Sequence, residues 1–208
     1  MLLEGRDIST LRSRDVARTL SVLPQSPSAP EGITVADLVA RGRHPHQSWL
    51  QQWSSTDENE TEAAMELTGM MELRDRPLEE LSGGQRQRAW IAMTLAQDTS
   101  VLLLDEPTTY LDLAHAIEVL ELVDHLNREL NRTVVMVLHD LNLAARYSDR
   151  IIAMQDGAIK CIGTPEEILT QERLLDIFGL EATVLHDSEG TPIVVPLSGR
   201  RRAATRTA

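Results

Sequence analysis

Two neighbouring stretches decide the fold: Leu81-Ser82-Gly83-Gly84-Gln85-Arg86-Gln87-Arg88, and shortly after it Val101-Leu102-Leu103-Leu104-Asp105-Glu106-Pro107. The second is a continuous apolar run that stops at two carboxylates. A run of this kind reads as a strand buried on both faces, as in a parallel sheet. The first is a Gly-Gly turn that opens a helix through Ala96. Downstream, a long helical pattern carries Val119, Leu122, Leu126 and Leu130 at spacings of three and four, a stripe that faces a core. Strand Thr133 to Leu138, another helix and strand Ile151 to Met154 follow. This alternation predicts parallel βαβ units and an α/β fold. Asp156-Gly157 predicts a hairpin turn, and Ala182 to Leu185 with Ile193 to Val195 predict a second hairpin around Asp187-Ser188-Glu189-Gly190.

Upstream of the deciding stretch, Met1 to Gly5 reads as the end of a strand and a turn, and Asp15 to Leu20 as helix-like. Leu20 to Leu23 is a short strand that ends in Pro24 and Gln25, with Pro27 and Pro30 marking a loop. Thr34 to Gly42 and Glu62 to Leu73 have helical patterns, the latter after a polar lead with Ser55 and Glu58 at capping-box spacing. The acidic run Asp57, Glu58, Glu60 and Glu62 reads as a solvated helix start. His44 and His46 flank Pro45 without a third ligand nearby, so they read as loop surface or contacts to a partner rather than a metal pair.

Composition narrows the function classes. The 208 residues are 42% apolar but only 3% aromatic, so the core must be built from aliphatic side chains and methionine. A net charge of -12 opposes general binding to nucleic acid or to an anionic membrane. Cys161 is the only cysteine, so no intrachain disulfide can form; a buried, small apolar role suits it. No stretch approaches the roughly 20 apolar residues that span a bilayer. Arg200, Arg201, Arg202 and Arg206 read as part of a solvated tail.

The chemistry gathers at the edge of the predicted strand. Ligand sites in parallel sheets lie at the carboxyl ends of the strands, where Asp105 and Glu106 emerge. There Asp105 would hold Mg²⁺ through water, and Glu106 would orient or deprotonate the water that attacks a γ-phosphate. In Ser82-Gly83-Gly84-Gln85 the glycines let backbone N–H groups approach an anion, beside the positive end of a helix dipole.

With these residues in this order, the chain resembles the ABC ATPase family, over nearly its whole length. LSGGQRQR is similar to that family's signature motif and VLLLDEP to its Walker B strand. Tyr110-Leu111-Asp112 falls where the D-loop lies, Gln25 in the Q-loop position and His139 at the switch histidine. Tyr110 departs from the small residue common there, but PTTYLD, ADLVARGRHPH and HDLNLAARYSDRII resemble the iron-siderophore, haem and cobalamin importer branch.

The resemblance implies a P-loop NTPase-like core with a parallel sheet and a small helical insertion. The segments are 1–31 and 81–198 as ATPase core, 32–80 as helical subdomain and 199–208 as disordered tail. It implies ATP and Mg²⁺ as cofactors, with catalytic Glu106 and His139. Gln25, Ser82, Gly83, Gly84, Gln85, Asp105 and Asp112 would serve the nucleotide, and Gln25 and Asp105 the metal. The implied partners are a second ATPase subunit, two membrane-spanning permease subunits and, indirectly, a substrate-binding protein, at the cytoplasmic face of the membrane and with no nucleic acid.

One part of the pattern is missing. No G-x-x-x-x-G-K-[ST] occurs, and the only lysine, Lys160, stands between Ile159 and Cys161. The start in mid-hairpin reads as that of a truncated chain, and autonomous turnover is not expected of the 208 residues. Two other classes fit less of the pattern. A non-catalytic fragment or pseudo-ATPase would lend its signature motif to an intact partner. An ATPase acting on DNA or ribosomes would carry a long coiled-coil insertion, for which the span between Gln25 and Leu81 has no room.

Overall fold

The computed structural model describes residues 1–47 and 53–197. The chain divides into two compact units, Met1–Val137 and Leu138–Ala208. The expected tail at 199–208 lies outside the described residues.

The first unit opens with a hairpin of β1 (Leu2–Leu3) and β2 (Arg6–Asp7). Helix α1 (Ser13–Ala17) leads into β3 (Leu20–Leu23), so Leu20 starts the strand and does not end the helix. β4 (Val101–Asp105) and β5 (Thr133–Val137) complete a parallel sheet in the order β3-β4-β5. The register pairs Leu20 with Val101 and Asp105 with Val137. Leu23 and Leu104 are buried on one face under α4 (Gly83–Ala96) and α5 (Leu113–Arg128), against Ile91, Val119 and Val123. Val22, Val135 and Val137 belong to the other face and are about half exposed.

The predicted α5 stripe is partly met. Val119 and Leu126 are buried together with Leu120 and Val123, whereas Leu130 lies beyond the helix and is exposed. With 3.6 residues per turn, the stripe drifts toward 120 and 123 rather than staying on one row.

Helices α2 (Val35–Ala40) and α3 (Ser55–Leu67) pack on α4 through Val35, Leu38, Val39, Ala64 and Met65. α3 starts earlier than Glu62 and ends before Leu73. Its N-cap is Ser54, whose side chain accepts from the Asp57 amide while the Asp57 carboxylate accepts from the Ser54 amide. The capping box thus sits one residue ahead of the expected Ser55–Glu58 pair. Asp57 is also not a solvated helix start: it is buried, and its Oδ1 accepts from Arg43 Nε at 2.9 Å. Arg43 is itself buried and its second donor reaches the Ala96 carbonyl at the end of α4, 2.7 Å away. Gly42 is required beside it, because a Cβ there would run into the Met93 carbonyl.

The second unit contains α6 (Leu141–Arg146) and the hairpin of β6 (Ile151–Gln155) and β7 (Ala158–Gly163). α7 (Pro165–Ile168), α8 (Gln171–Phe178) and the hairpin of β8 (Ala182–His186) and β9 (Pro192–Pro196) follow. Both expected hairpins form. Asp156 and Gly157 have φ of 53° and 75°, the left-handed pair that a two-residue hairpin turn needs. Ile168, Leu169, Leu174 and Ala153 form this unit's core, with Cys161 half-buried against it.

Candidate functional site

The carboxyl edge of the β3-β4-β5 sheet carries three of the expected residues, Gln25, Asp105 and Glu106, whereas Ser82–Gln85 and Asp112 stand at the starts of α4 and α5. Asp105 is the last residue of β4 and is exposed. Glu106 follows it with φ of 51°, a left-handed conformation in which the chain turns off the strand. Gln25, two residues past β3, donates from Nε2 to Glu106 Oε2 at 2.6 Å, across 81 positions of sequence. Thr109 Oγ1 donates to the same oxygen at 2.9 Å. Sequence reasoning singled out the first donor but not the second: Thr109 stands three residues after Glu106, in the turn that closes at Tyr110, whose φ is 66°, and nothing in the sequence marks its hydroxyl.

Beyond that turn, Asp112 caps α5: its Oδ1 accepts from the His115 amide at 3.0 Å and faces His115 Nδ1 at 2.8 Å. The hydrogen bond from the His115 amide, followed by the one from its side chain, holds the Asp112 carboxyl below its ordinary value. Ser82 caps α4 by the same logic, its hydroxyl accepting from the Gln85 amide while Gln85 Oε1 accepts from the Ser82 amide. The Gln85 side chain therefore serves its own helix start. Gly83 is exposed, and a Cβ there would meet nothing nearer than Leu111 Cδ2 at 3.7 Å. Gly84 is buried against His115.

His139 stands two residues past β5, at the start of the second unit, and directly precedes Asp140, which caps α6 by accepting from the Asn142 and Leu143 amides. Of the two histidines around Pro45, His44 is exposed and His46 is half-buried with Nε2 2.8 Å from the Gln97 carbonyl. Among the described residues, no three His, Cys, Asp or Glu side chains cluster as a metal site.

The donors present fit a Mg-nucleotide in part. Two carboxylates and an amide at a strand edge suit a hydrated divalent cation, and the open Gly83 leaves the first N–H groups of α4 within reach of a phosphate oxygen. Lys160, the one lysine of the sequence, lies exposed on β7 in the second unit and outside any phosphate-loop motif.

Residues 1–109 match the profile of the ABC transporter family. The petrobactin import ATP-binding protein FpuD of Bacillus anthracis is 51% identical over 209 residues, which cover 100% of this chain and 77% of that protein. The ferric enterobactin transport ATP-binding protein FepC of Escherichia coli (strain K12) is 49% identical over 98% of this chain and 75% of its own length. Among solved structures, a transporter described as of metal-chelate type, in an inward-facing conformation, aligns with a TM-score of 0.80 at 31% identity, covering 88% of this chain and 74% of that one. The sheet with its flanking helices is accordingly the P-loop NTPase-like α/β core expected from the sequence. ABC ATPases bind ATP, typically with Mg²⁺, and hydrolyse it. This chain belongs to the ABC transporter family, among its ATP-binding subunits.

Proposed function

We propose that the chain is the ATPase subunit of an importer of ferric chelates, with Glu106 as the base that activates water and Asp105 as the residue that faces Mg²⁺. The observation that carries the site is the 2.6 Å hydrogen bond from Gln25 to Glu106, which unites two motif residues at the carboxyl edge of the sheet. When bound, Mg-ATP supplies an electrophilic γ-phosphoryl group whose charge the metal offsets. Gln25 and Thr109 hold the Glu106 carboxylate by one oxygen and so fix its direction. Asp105, at the strand end beside it, orients a hydrated cation. Ser82, Gly83, Gly84 and Gln85 present the start of α4 to the nucleotide of a partner subunit, with Asp112 contributing at the same interface. His139 contributes to the γ-phosphate end of its own subunit's site.

Segments 1–31 and 81–198 act as the ATPase core and 32–80 as the helical subdomain that meets the membrane partner. The subunit pairs with a second ATPase subunit and energises membrane-spanning permeases at the cytoplasmic face of the membrane, with a substrate-binding protein delivering the chelate. The names of the relatives support iron-siderophore transport over haem or cobalamin. Among the described residues no helix is long and apolar enough to cross a membrane, so contact with the bilayer is assigned to partners. The test is uptake of labelled ferric siderophores by cells that lack the gene. Loss of uptake, restored by the gene, is expected; unchanged uptake of ferric siderophores, haem and cobalamin alike overturns the importer reading.

A second reading is favoured by one sequence observation, the lack of any Gly-Lys pair. In it the chain lends its α4 start to an intact homologue that carries the phosphate loop. In such a mixture ATP hydrolysis should rise, Ser82→Arg should abolish the gain, and Glu106→Gln in this chain should leave the gain intact. No gain on mixing removes this reading.

A further inference from the structure

We propose that His115 is a positioning residue that ties the Ser82–Gln85 turn to Asp112, so that the starts of α4 and α5 move as one body. Two contacts of a single imidazole carry this. On one side, Nδ1 lies 2.8 Å from Asp112 Oδ1, the same oxygen that accepts from the His115 amide, so the ring is held to the residue that caps its own helix. On the other side the ring covers Gly84: a Cβ at that glycine would stand 2.7 Å from His115 Cδ2 and 3.1 Å from Cγ. A real side chain at position 84 would thus have to displace a ring that Asp112 holds in place.

The two glycines of the turn consequently differ. Gly83 faces open space apart from Leu111, as a residue approached by a ligand would, whereas Gly84 is small because His115 occupies the space beside it. One turn further along the same two helices, Arg88 and Glu118 form an ion pair at 2.9 Å, which limits how far the helix starts can slide past each other. The tie gives a route by which a displacement of Asp112 reaches the backbone N–H groups of the turn without passing through the sheet.

The functional meaning rests on reading Ser82–Gln85 and Asp112 as nucleotide-handling segments, but the tie itself is testable with no nucleotide present, so the two can fail separately. In the ¹⁵N-labelled 208-residue chain, Asp112→Asn should displace the amide resonances of Gly83, Gly84 and Gln85. In a His115→Ala background the same Asp112→Asn change should leave those three resonances where they are. His115→Asn, whose amide can still reach Asp112 but which has no ring over Gly84, should behave as His115→Ala does at the turn while keeping the Asp112 resonance close to its original position. A thermal-unfolding cycle gives an independent reading: Gly84→Ala should lower the midpoint in the unaltered chain and should not lower it once His115 is alanine, because the obstructing ring is gone and alanine is the better helix former. The proposal is overturned if Asp112→Asn leaves the turn unmoved in the unaltered chain, or moves it equally with and without His115, which would assign the coupling to Leu111. Equal losses for Gly84→Ala in both backgrounds overturn it as well.

Discussion

Glu106 combines a left-handed backbone with a side chain held by two donors. A non-glycine residue in that region costs about 1–2 kcal/mol, and such strain gathers where a side chain must be aimed. Replacing it with glycine removes the strain together with both hydrogen bonds. The relieved strain offsets only part of the hydrogen bonds from Gln25 and Thr109 to an ionised carboxylate, about 1.5–3 kcal/mol each, so Glu106→Gly is expected to destabilise by roughly 1–5 kcal/mol in denaturant unfolding; a gain in stability would mean that the two donors contribute nothing to the fold. Catalysis should separate cleanly from stability. In a chain extended at its N-terminus with a relative's phosphate-loop segment, Glu106→Gln should retain ATP binding and lose about 10²–10⁴ in turnover. Near-normal steady-state hydrolysis by that variant would take the role of base away from Glu106. Thr109→Val removes one charge-assisted donor from the carboxylate, worth about 1.5–3 kcal/mol when intact, so turnover in the same extended chain should fall by roughly tenfold or more. An unchanged rate would leave Thr109 a turn residue only.

At the scale of the element, the buried Arg43–Asp57 pair decides how the α2–α3 segment docks on α4. Both side chains are nearly inaccessible, at 4% and 7%, and Arg43 also caps the end of α4. Removing one partner strands the other charge, so Asp57→Ala should cost about 3–5 kcal/mol in chemical denaturation. Burial alone would raise the Asp57 carboxyl, but hydrogen bonds from Ser54 and Arg43 outweigh it and hold it below the usual range. Since the folded state keeps the carboxylate ionised more strongly than the unfolded chain does, this stabilisation is complete above about pH 3.9 and is lost as pH falls through the depressed folded value. Acid unfolding monitored by circular dichroism should accordingly begin at higher pH in Asp57→Asn than in the unaltered chain. Two Ser-x-x-acid spacings overlap in this stretch, Ser54–Asp57 and Ser55–Glu58. Spacing cannot choose between them, because the choice depends on Arg43, a residue brought in by the packing of α2. Strands β3 to β5 and both hairpins were legible because their signals are local, apolar runs and turn residues suited to positive φ. The expected parallel alternation fails at Ile151–Gln155, which pairs antiparallel with β7 because the Asp156-Gly157 turn folds it back into a hairpin. The Gln25–Glu106 approach was readable only as motif order, and Thr109 and His115 were silent because a hydroxyl or an imidazole one turn from a motif looks like any other.

For the whole molecule, Val22, Val135 and Val137 stand about half exposed on the sheet face opposite the one that packs on α4 and α5. Parallel sheets bury both faces, so apolar side chains of this kind favour association. Light scattering of the 208-residue chain should show concentration-dependent self-association, reduced in Val22→Thr/Val135→Thr; a monodisperse monomer at high concentration would count against it. Calorimetry offers a second whole-chain prediction. With no phosphate-loop motif among these 208 residues, a loss of three charge-assisted contacts is worth roughly 4.5–9 kcal/mol, or about three to six decades of affinity. No ATP binding at millimolar concentration is expected, and micromolar Mg-ATP binding would show that the remaining residues suffice.

The pairing of β3 with β4 has a consequence for how the chain folds. These adjacent strands lie about 80 residues apart, with α2, α3 and α4 between them. Closing so long a loop before any contact rewards it is slow and entropically costly, whereas the α2–α3–α4 contacts are far more local. The helices should therefore assemble first and shorten the effective loop, leaving strand pairing as the late step. On that order, Asp57→Ala would slow refolding as well as weaken the native state, whereas Val22→Thr, on the open face of β3, would leave the refolding rate nearly unchanged.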